Sequence, residues 1–213
     1  LQAIHAPIRI GLSATIREAP RRMAVEAFLG PIIAESDEQA LIQAGRAAHP
    51  TVYVVNAGGI APETSDFALA YGDGVIHNRM RNDLITALGR RFRDQGTRTL
   101  ILTVNLDHGR PMARTLDAPF LWGETPLDVV SSAKRDFEAG RLHTIVASTI
   151  FDFGQDLPSV QALILAGGGK SALRTVQRVG RALRKKPGTD NTVKIIDFYD
   201  LSCRLLRDHS EAR

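Results

Sequence analysis

The hydrophobic residues of the chain alternate between short β-branched runs and longer stretches with helical spacing. Three of the runs, TLILTV, HTIVAS and VQALILA, are apolar without alternation, which is typical of strands buried on both faces of a parallel sheet. The pattern therefore predicts an α/β fold, with a parallel sheet sandwiched by helices. The predicted strands are residues 9–12, 52–55, 100–104, 144–147, 160–166 and 193–198, and the predicted helices are residues 17–29, 82–94, 127–139 and 172–184.

A domain boundary is predicted after the first helix. Gly30 and Pro31 stop that helix, and a polar stretch containing Glu35 and Glu38 follows. We expect residues 1–30 to be the end of one domain, residues 31–50 a linker, and residues 51–213 a complete second domain. A total of 213 residues is enough for one such domain with its own core.

Composition narrows the functional classes only a little. The chain has 27 Lys and Arg against 23 Asp and Glu, a net charge of +4, which is compatible with a nucleic-acid partner without establishing one. The single cysteine and six scattered histidines offer no metal-ligand spacing, so no metal site is expected. The single cysteine favours an intracellular location, and no membrane partner is expected, because no apolar run approaches the ~18 residues of a membrane span.

The segment TVQRVGRALRKK, residues 175–186, has the sharpest pattern. On a helix it presents an apolar stripe on one side and arginines on the other, with Gln177 and Arg184 on the flank beside Arg181. Guanidinium groups bind phosphate oxygens in a bidentate fork. The spacing alone leaves open a simpler alternative, a basic helix face exposed to solvent.

Two strand ends carry hydroxyl groups and glycines. In IVASTIFDFGQDLP, Ser148 and Thr149 end a strand, and Gly154 and Asp156 follow. Hydroxyls and glycine amides at this place suit phosphate contact, and Asp156 could accept from a ribose hydroxyl or pair with an arginine. In isolation the segment could equally be a polar loop. Ser13 and Thr15 in RIGLSATIRE are weaker candidates, because either could simply cap a helix.

The segment GGGKS, residues 167–171, looks like a phosphate-binding loop but does not fit one. The pattern GxxxxGK[ST] requires glycine at position 164, where Ile164 lies inside a predicted strand. A small phosphate-loop kinase is therefore excluded. Lys170 and Ser171 remain candidates for contact with a backbone phosphate.

Four segments together resemble a family. GLSAT, TLILTVNLDHG, STIFDFGQDLP and QRVGRALR stand in the order of motifs III, IV, V and VI of the superfamily 2 helicases. The resemblance covers nearly the whole chain and is strongest to the UvsW-like and XPB-type branch of DNA recombination and repair. It implies a RecA-like fold for the helicase C-terminal domain, preceded by a remnant of the first motor domain.

The resemblance also implies roles in nucleotide hydrolysis. In such helicases, two RecA-like domains hold ATP between them, and the second supplies arginine fingers. Arg181 and Arg184 match the fingers, and Gln177 matches a contact to the γ-phosphate. The remaining positions expected near the nucleotide are Gly154, Asp156 and Arg178.

Further positions match contacts to nucleic acid. Ser148 matches a hydroxyl that touches the nucleic-acid backbone, and Asn105 and His108 lie where family members approach the tracked strand. Thr149 and Lys170 complete this expected set. Ser13 and Thr15 match motif III, which couples the ATP site to the domain interface.

The pattern GxxxxGK[ST] and the pair DE-x-[HD] are absent from the sequence. The leading hypothesis is therefore the second motor domain of an ATP-dependent DNA helicase or translocase, inactive alone. The phosphate loop and the Mg²⁺ ligands are expected in a missing N-terminal motor domain, into whose sheet residues 9–12 would insert. DNA is the expected partner, with RNA left open. The alternative is a stand-alone, non-catalytic module that binds nucleic acid or regulates a motor.

Overall fold

The computed structural model describes residues 8–12, 19–148, 157–169 and 191–212, and the structural statements below refer to these residues. The chain divides into two compact units, Leu1–Leu41 and Ile42–Arg213. The division falls within residues 31–50, the stretch predicted to be a linker. That stretch is not wholly irregular, since it contains helix α2 (Glu38–Gln43) and the first residues of a strand.

In the first unit, helix α1 spans Ala19–Leu29. It ends where the sequence predicts, because Gly30 adopts a φ of 88° and its N–H donates to the carbonyl of Glu26 at 2.9 Å. The predicted strand at residues 9–12 is wrong, since residues 8–12 form no strand. A strand is stabilised by hydrogen bonds to a neighbour, and the described residues of this unit provide none. Ile8, Ile10 and Leu12 are exposed as a result.

The second unit is built around six parallel strands in the order β1-β6-β5-β2-β4-β3. The strands are β1 (His49–Ala57), β2 (Thr99–Leu102), β3 (Phe120–Leu121), β4 (Thr144–Ala147), β5 (Ala162–Leu165) and β6 (Thr192–Asp200). The helices are α3 (Phe67–Tyr71), which continues into a π-helical turn (Gly72–Ile76), α4 (Arg79–Asp94), α5 (Leu106–Leu116), α6 (Leu127–Glu138) and α7 (Arg204–Glu211). The α/β parallel sheet predicted from the apolar runs is confirmed.

Hydrophobic cores lie on both faces of the sheet. Leu100 and Leu102 of β2 face one core together with Phe137 of α6. Ile101, between them in sequence, faces the other core together with Ile85 of α4. Successive side chains of a strand point to opposite faces, so an unbroken apolar run is what a strand covered on both sides requires.

Several elements lie outside the prediction. Helices α2, α3, α5 and α7 and the two-residue strand β3 were not predicted, and β1 begins three residues earlier than expected. The α5 segment contains Gly109 and Pro111. Both residue types are unfavourable inside a helix, so the helical pattern of this segment is not evident from the sequence. The predicted helix at residues 172–184 lies outside the described residues. Among the helices that are described, none is long and apolar enough to cross a membrane.

Candidate functional site

The carboxyl ends of the parallel strands meet at one edge of the sheet, which is where open α/β folds bind ligands. The loops after β2 and β4 are joined there, because the N–H of Thr103 donates to the carbonyl of Ala147 at 2.8 Å. The loop after β5 lies beside them, since the N–H of Gly167 donates to the carbonyl of Leu102 at 3.0 Å. Asn105 and Ser148, predicted separately, therefore follow adjacent strands at the same edge.

Asn105 is the N-cap of α5. Its backbone is extended, with φ −106° and ψ 139°, and its side-chain oxygen accepts from the N–H of Asp107 at 2.7 Å. This hydrogen bond satisfies one of the free donors at the start of the helix. Asn105 is half-buried, and its predicted contact with a nucleic-acid strand stays a prediction.

Ser148 immediately follows β4 and is buried. Its N–H donates to the carbonyl of Leu121 at 2.9 Å, which extends the pairing of β4 with the edge strand β3 by one residue. The backbone at this position is thus fixed by the sheet. The neighbouring Thr149 lies outside the described residues.

His108 lies in the first turn of α5 and is buried. Its Nε2 lies 2.8 Å from Oδ1 of Asn82, whose side-chain nitrogen donates to the carbonyl of Ile76 at 2.8 Å. Asn82 Oδ1 is therefore an acceptor, and His108 carries its proton on Nε2. Burial lowers the pKa of His108 to about 3, helped by the positive charges of Arg81 and His77, so the ring is neutral at physiological pH.

This placement bears on the predicted role of His108. A direct contact with nucleic acid would require the imidazole to leave its buried position against Asn82, and that contact stays a prediction. In the structure, the ring joins α5 to α4.

Arg81 of α4 is a fully buried cation close to the same edge. Its Nε donates to Oδ1 of Asp200, the last residue of β6, at 2.8 Å, and its Nη1 donates to the carbonyl of Ala166 at 2.7 Å. Its guanidinium carbon lies 4.6 Å from the ring centroid of Phe198. One side chain thus joins α4 to the ends of β5 and β6.

The glycine loop after β5 is held on two sides. The hydroxyl of Tyr71 donates to the carbonyl of Gly167, and Gly168 and Gly169 have φ angles of 59° and 97°. A Cβ on Gly167 would lie 2.6 Å from Cγ2 of Val104, so the loop packs directly on the loop after β2. The arginine-rich segment, residues 175–186, begins six residues after Gly169 and lies outside the described residues.

Most of the other predicted site residues lie outside the described residues. These are Ser13, Thr15, Thr149, Gly154, Asp156, Lys170, Gln177, Arg178, Arg181 and Arg184, and their roles stay predictions. Within the described ranges, no group of three or more His, Cys, Asp or Glu side chains is placed to hold a metal ion.

Sequence reasoning missed Arg81 and its partner Asp200. A signal for Arg81 was available, because it stands four residues before Ile85 and eight before Gly89, on the helix face that continues to Phe92 and is buried throughout. An arginine on an apolar helix face indicates a buried partner. The identity of that partner was not available from local sequence, because Asp200 lies at the end of a strand formed much later in the chain.

The parallel sheet, the helices on both its faces and the loops gathered at its carboxyl edge are those of a RecA-like fold. Residues 113–186 match the family model described as the helicase conserved C-terminal domain. This match confirms the resemblance to the superfamily 2 helicases.

Its relatives in sequence carry the names of DNA helicases. The chain is 32% identical over 204 residues to a Rad25 protein of Halobacterium salinarum, named as a DNA 3'-5' helicase, across 92% of this chain and 32% of that protein. It is 28% identical to the DNA 3'-5' helicase XPB of Kineococcus radiotolerans, across 98% of this chain and 38% of that protein. The chain thus spans about one third of the length of these relatives.

Solved structures of low sequence identity share the fold. T4 UvsW superposes with a TM-score of 0.60 at 17% identity, over 78% of this chain and 39% of that one. A variant of S. cerevisiae Dbp5, bound to RNA and ADP BeF3, superposes with a TM-score of 0.59 at 13% identity, over 94% of this chain and 48% of that one.

Proposed function

We propose that the chain acts as the second motor domain of an ATP-dependent DNA helicase or translocase. The observation that carries this proposal is the match of residues 113–186 to the helicase C-terminal domain, because that range includes the arginine-rich segment. The DNA-helicase names of the relatives favour DNA over RNA as the nucleic acid.

In this proposal, Arg181 and Arg184 act as arginine fingers, and Gln177 contacts the γ-phosphate. Phosphoryl transfer depends mostly on positioning and charge stabilisation, so a finger supplied across an interface is worth about 10³–10⁵ in rate. Gly154, Asp156 and Arg178 would line the nucleotide. The buried anchors of the Gly167 loop hold the backbone at the end of β5, in the last described stretch before the arginine-rich segment in the sequence.

The first motor domain would come from elsewhere in the protein. Neither GxxxxGK[ST] nor DE-x-[HD] occurs in the 213 residues, so another domain would supply the phosphate loop and the ligands of Mg²⁺. Ser13 and Thr15 would couple the two domains. The chain alone should then be inactive as an ATPase.

The nucleic-acid strand would pass over the carboxyl edge of the sheet. Ser148, Thr149, Asn105 and Lys170 are the proposed contacts to its backbone, and His108 positions α5 from beneath. Backbone contacts carry no base readout, so such binding tolerates any sequence and weakens with salt.

The proposal is tested by ATP hydrolysis in a protein that joins this chain to a first motor domain. Arg181→Ala should lower the rate of hydrolysis about 10³-fold or more and leave ATP binding within a few-fold. Arg141→Ala is the control, because this arginine is exposed and pairs only with Asp136 of its own turn among the described residues.

Two results would contradict the proposal. One is ATP hydrolysis that continues at an unchanged rate in Arg181→Ala, which would contradict the assignment of Arg181 as an arginine finger. The other is ATP hydrolysis by the 213-residue chain alone, stimulated by nucleic acid.

A further inference from the structure

A cleft with a volume of about 580 Å³ is lined by residues of helix α5, the edge strand β3 and the segment that joins them. Two arginines of α5, Arg110 and Arg114, form one side, and Phe120 and Trp122 form the other. Asp117 and Pro119, from the segment between α5 and β3, also line it. None of these side chains has been given a role above.

The aromatic side of the cleft is an ordered stack. Phe120 and Trp122 are two residues apart and point to the same face of the strand, with ring centroids 5.5 Å apart and planes inclined by 20°. The guanidinium carbon of Arg110 lies 5.4 Å from the Trp122 ring centroid. The N–H of Trp122 donates to Oγ1 of Thr125 at 2.8 Å, which fixes the backbone at this position.

Glycine in α5 makes this stack possible. A Cβ on Gly109 would lie 2.3 Å from Cε2 of Phe120, so any larger residue would push the ring away. The stack is therefore part of the packing of α5 on β3, and its rings are held in place before any ligand arrives.

The charge around the cleft is positive. Arg110 and Arg114 are exposed, and two further arginines reach the last turn of α5 from α4. Arg90 Nη2 donates to the carbonyl of Thr115 at 3.1 Å, and Arg93 Nη1 donates to that of Leu116 at 2.9 Å. In the lining itself, two arginines stand against one acid, Asp117, while Asp94, 3.8 Å from Arg93, and the exposed Asp107 and Glu124 lie outside it. An anionic ligand is favoured.

The cleft adjoins the edge at which the proposed strand contacts lie. Trp122 follows Leu121, whose carbonyl accepts from the N–H of Ser148, and Arg110 is one turn beyond the Asn105 cap in α5. A strand that passes Ser148 and Asn105 can continue along α5 without leaving the surface.

We propose that this cleft binds single-stranded nucleic acid, with a base stacked on the Phe120–Trp122 pair and phosphates at Arg110 and Arg114. Aromatic faces and arginines together are the chemistry of sequence-tolerant binding to single strands. An acidic peptide would satisfy the arginines but would leave the aromatic pair unused. The proposal rests on the proposed function, since it extends the path of the same strand.

The experiment uses the 213-residue chain and a labelled oligothymidylate. Trp122 is the only tryptophan in the sequence, so its fluorescence reports on this cleft alone, while anisotropy of the label reports on binding anywhere. Quenching of Trp122 should follow the anisotropy change. Arg114→Gln should weaken binding and reduce the slope of log K against log salt by about 0.7.

Two further variants complete the test. Trp122→Leu should weaken binding about 5- to 150-fold in the anisotropy assay, which is the loss of one stacked base. Arg141→Gln is the matched control, because this exposed arginine precedes the amino end of β4 and does not line the cleft, so the affinity should stay unchanged.

The outcomes separate this site from the proposed function. Anisotropy could show binding while the Trp122 fluorescence and the affinity of the Arg114→Gln variant stay unchanged. That result would contradict binding in the cleft and would leave the motor-domain proposal unaffected. Quenching by polyglutamate but not by oligothymidylate would also overturn it, in favour of an acidic polypeptide. Conversely, the cleft could bind oligothymidylate in a protein whose ATP hydrolysis survives Arg181→Ala. That result would support the cleft as a binding site and contradict the assignment of Arg181 as an arginine finger.

Discussion

The buried ion pair of Arg81 and Asp200 should be the most sensitive polar contact of the second unit. The two side chains are 0% and 3% exposed, and Arg81 also donates to the carbonyl of Ala166. Removing one member of a buried pair leaves the other charge without compensation, which costs about 3–5 kcal/mol. We therefore expect Arg81→Ala to lower the free energy of unfolding by at least about 3 kcal/mol.

Chemical and thermal unfolding measure this effect. For a domain of this size, each kcal/mol shifts Tm by about 2–4 °C, so Arg81→Ala should lower Tm by roughly 6–20 °C. Arg79→Ala is the matched control in the same helix, because its side chain is 92% exposed and pairs weakly with Asp83 at 3.6 Å. That control should change stability by less than about 0.5 kcal/mol.

A double-mutant cycle identifies the cause. If the ion pair carries the effect, Asp200→Asn added to Arg81→Ala should cost much less than Asp200→Asn alone. The reasoning is refuted if Arg81→Ala costs less than about 1 kcal/mol, or if the two substitutions are additive.

The remaining predictions concern pH and backbone packing. Because the pKa of His108 is about 3 in the folded chain and near 6.5 when unfolded, the unfolded state binds more protons between these values, and stability falls as pH decreases through this window. Between pH 7 and pH 5, the free energy of unfolding measured by urea denaturation should fall by about 2 kcal/mol more in the natural chain than in His108→Gln. Equal decreases in the two proteins would contradict the argument that burial lowers the pKa of His108. Gly167→Ala should destabilise by about 1–3 kcal/mol, since its Cβ would meet Cγ2 of Val104 at 2.6 Å, and thermal unfolding measures it. Gly72→Ala, with φ −55° and open space around the site, should be neutral or stabilising by up to about 1 kcal/mol, and a loss comparable to that of Gly167→Ala would argue against the packing explanation.

The fold could be predicted because its signal is local. Each central strand is an apolar run bounded by polar residues, and residues 144–147 match β4 at both ends. Helix α5 could not be predicted in the same way, since Gly109 and Pro111 interrupt its pattern while the Asn105 cap and packing against β3 stabilise it. At residues 9–12 a strand was predicted and none is found, because an apolar run forms a strand only where a neighbouring strand is available for hydrogen bonding.

The candidate site was predictable only in part. Asn105 and Ser148 follow apolar runs, so their place at the carboxyl edge follows from a parallel sheet. The burial of His108 does not, because it depends on Asn82 from another helix. Arg81 is similar, since its partner Asp200 is 119 residues away. Contacts between distant residues leave no periodic signal in the sequence.

The register of the sheet has a consequence for how the chain is made. Among the described residues, strand β1 comes first of the strands and pairs only with β6, whose residues are synthesised about 140 positions later. At 5–20 residues per second, the ribosome would need about 7–30 s to deliver that partner. During this interval β1, whose Val52 and Val54 remain 58% and 66% exposed even in the folded chain, would emerge without a partner. Chaperone dependence during synthesis should therefore be concentrated on this first strand.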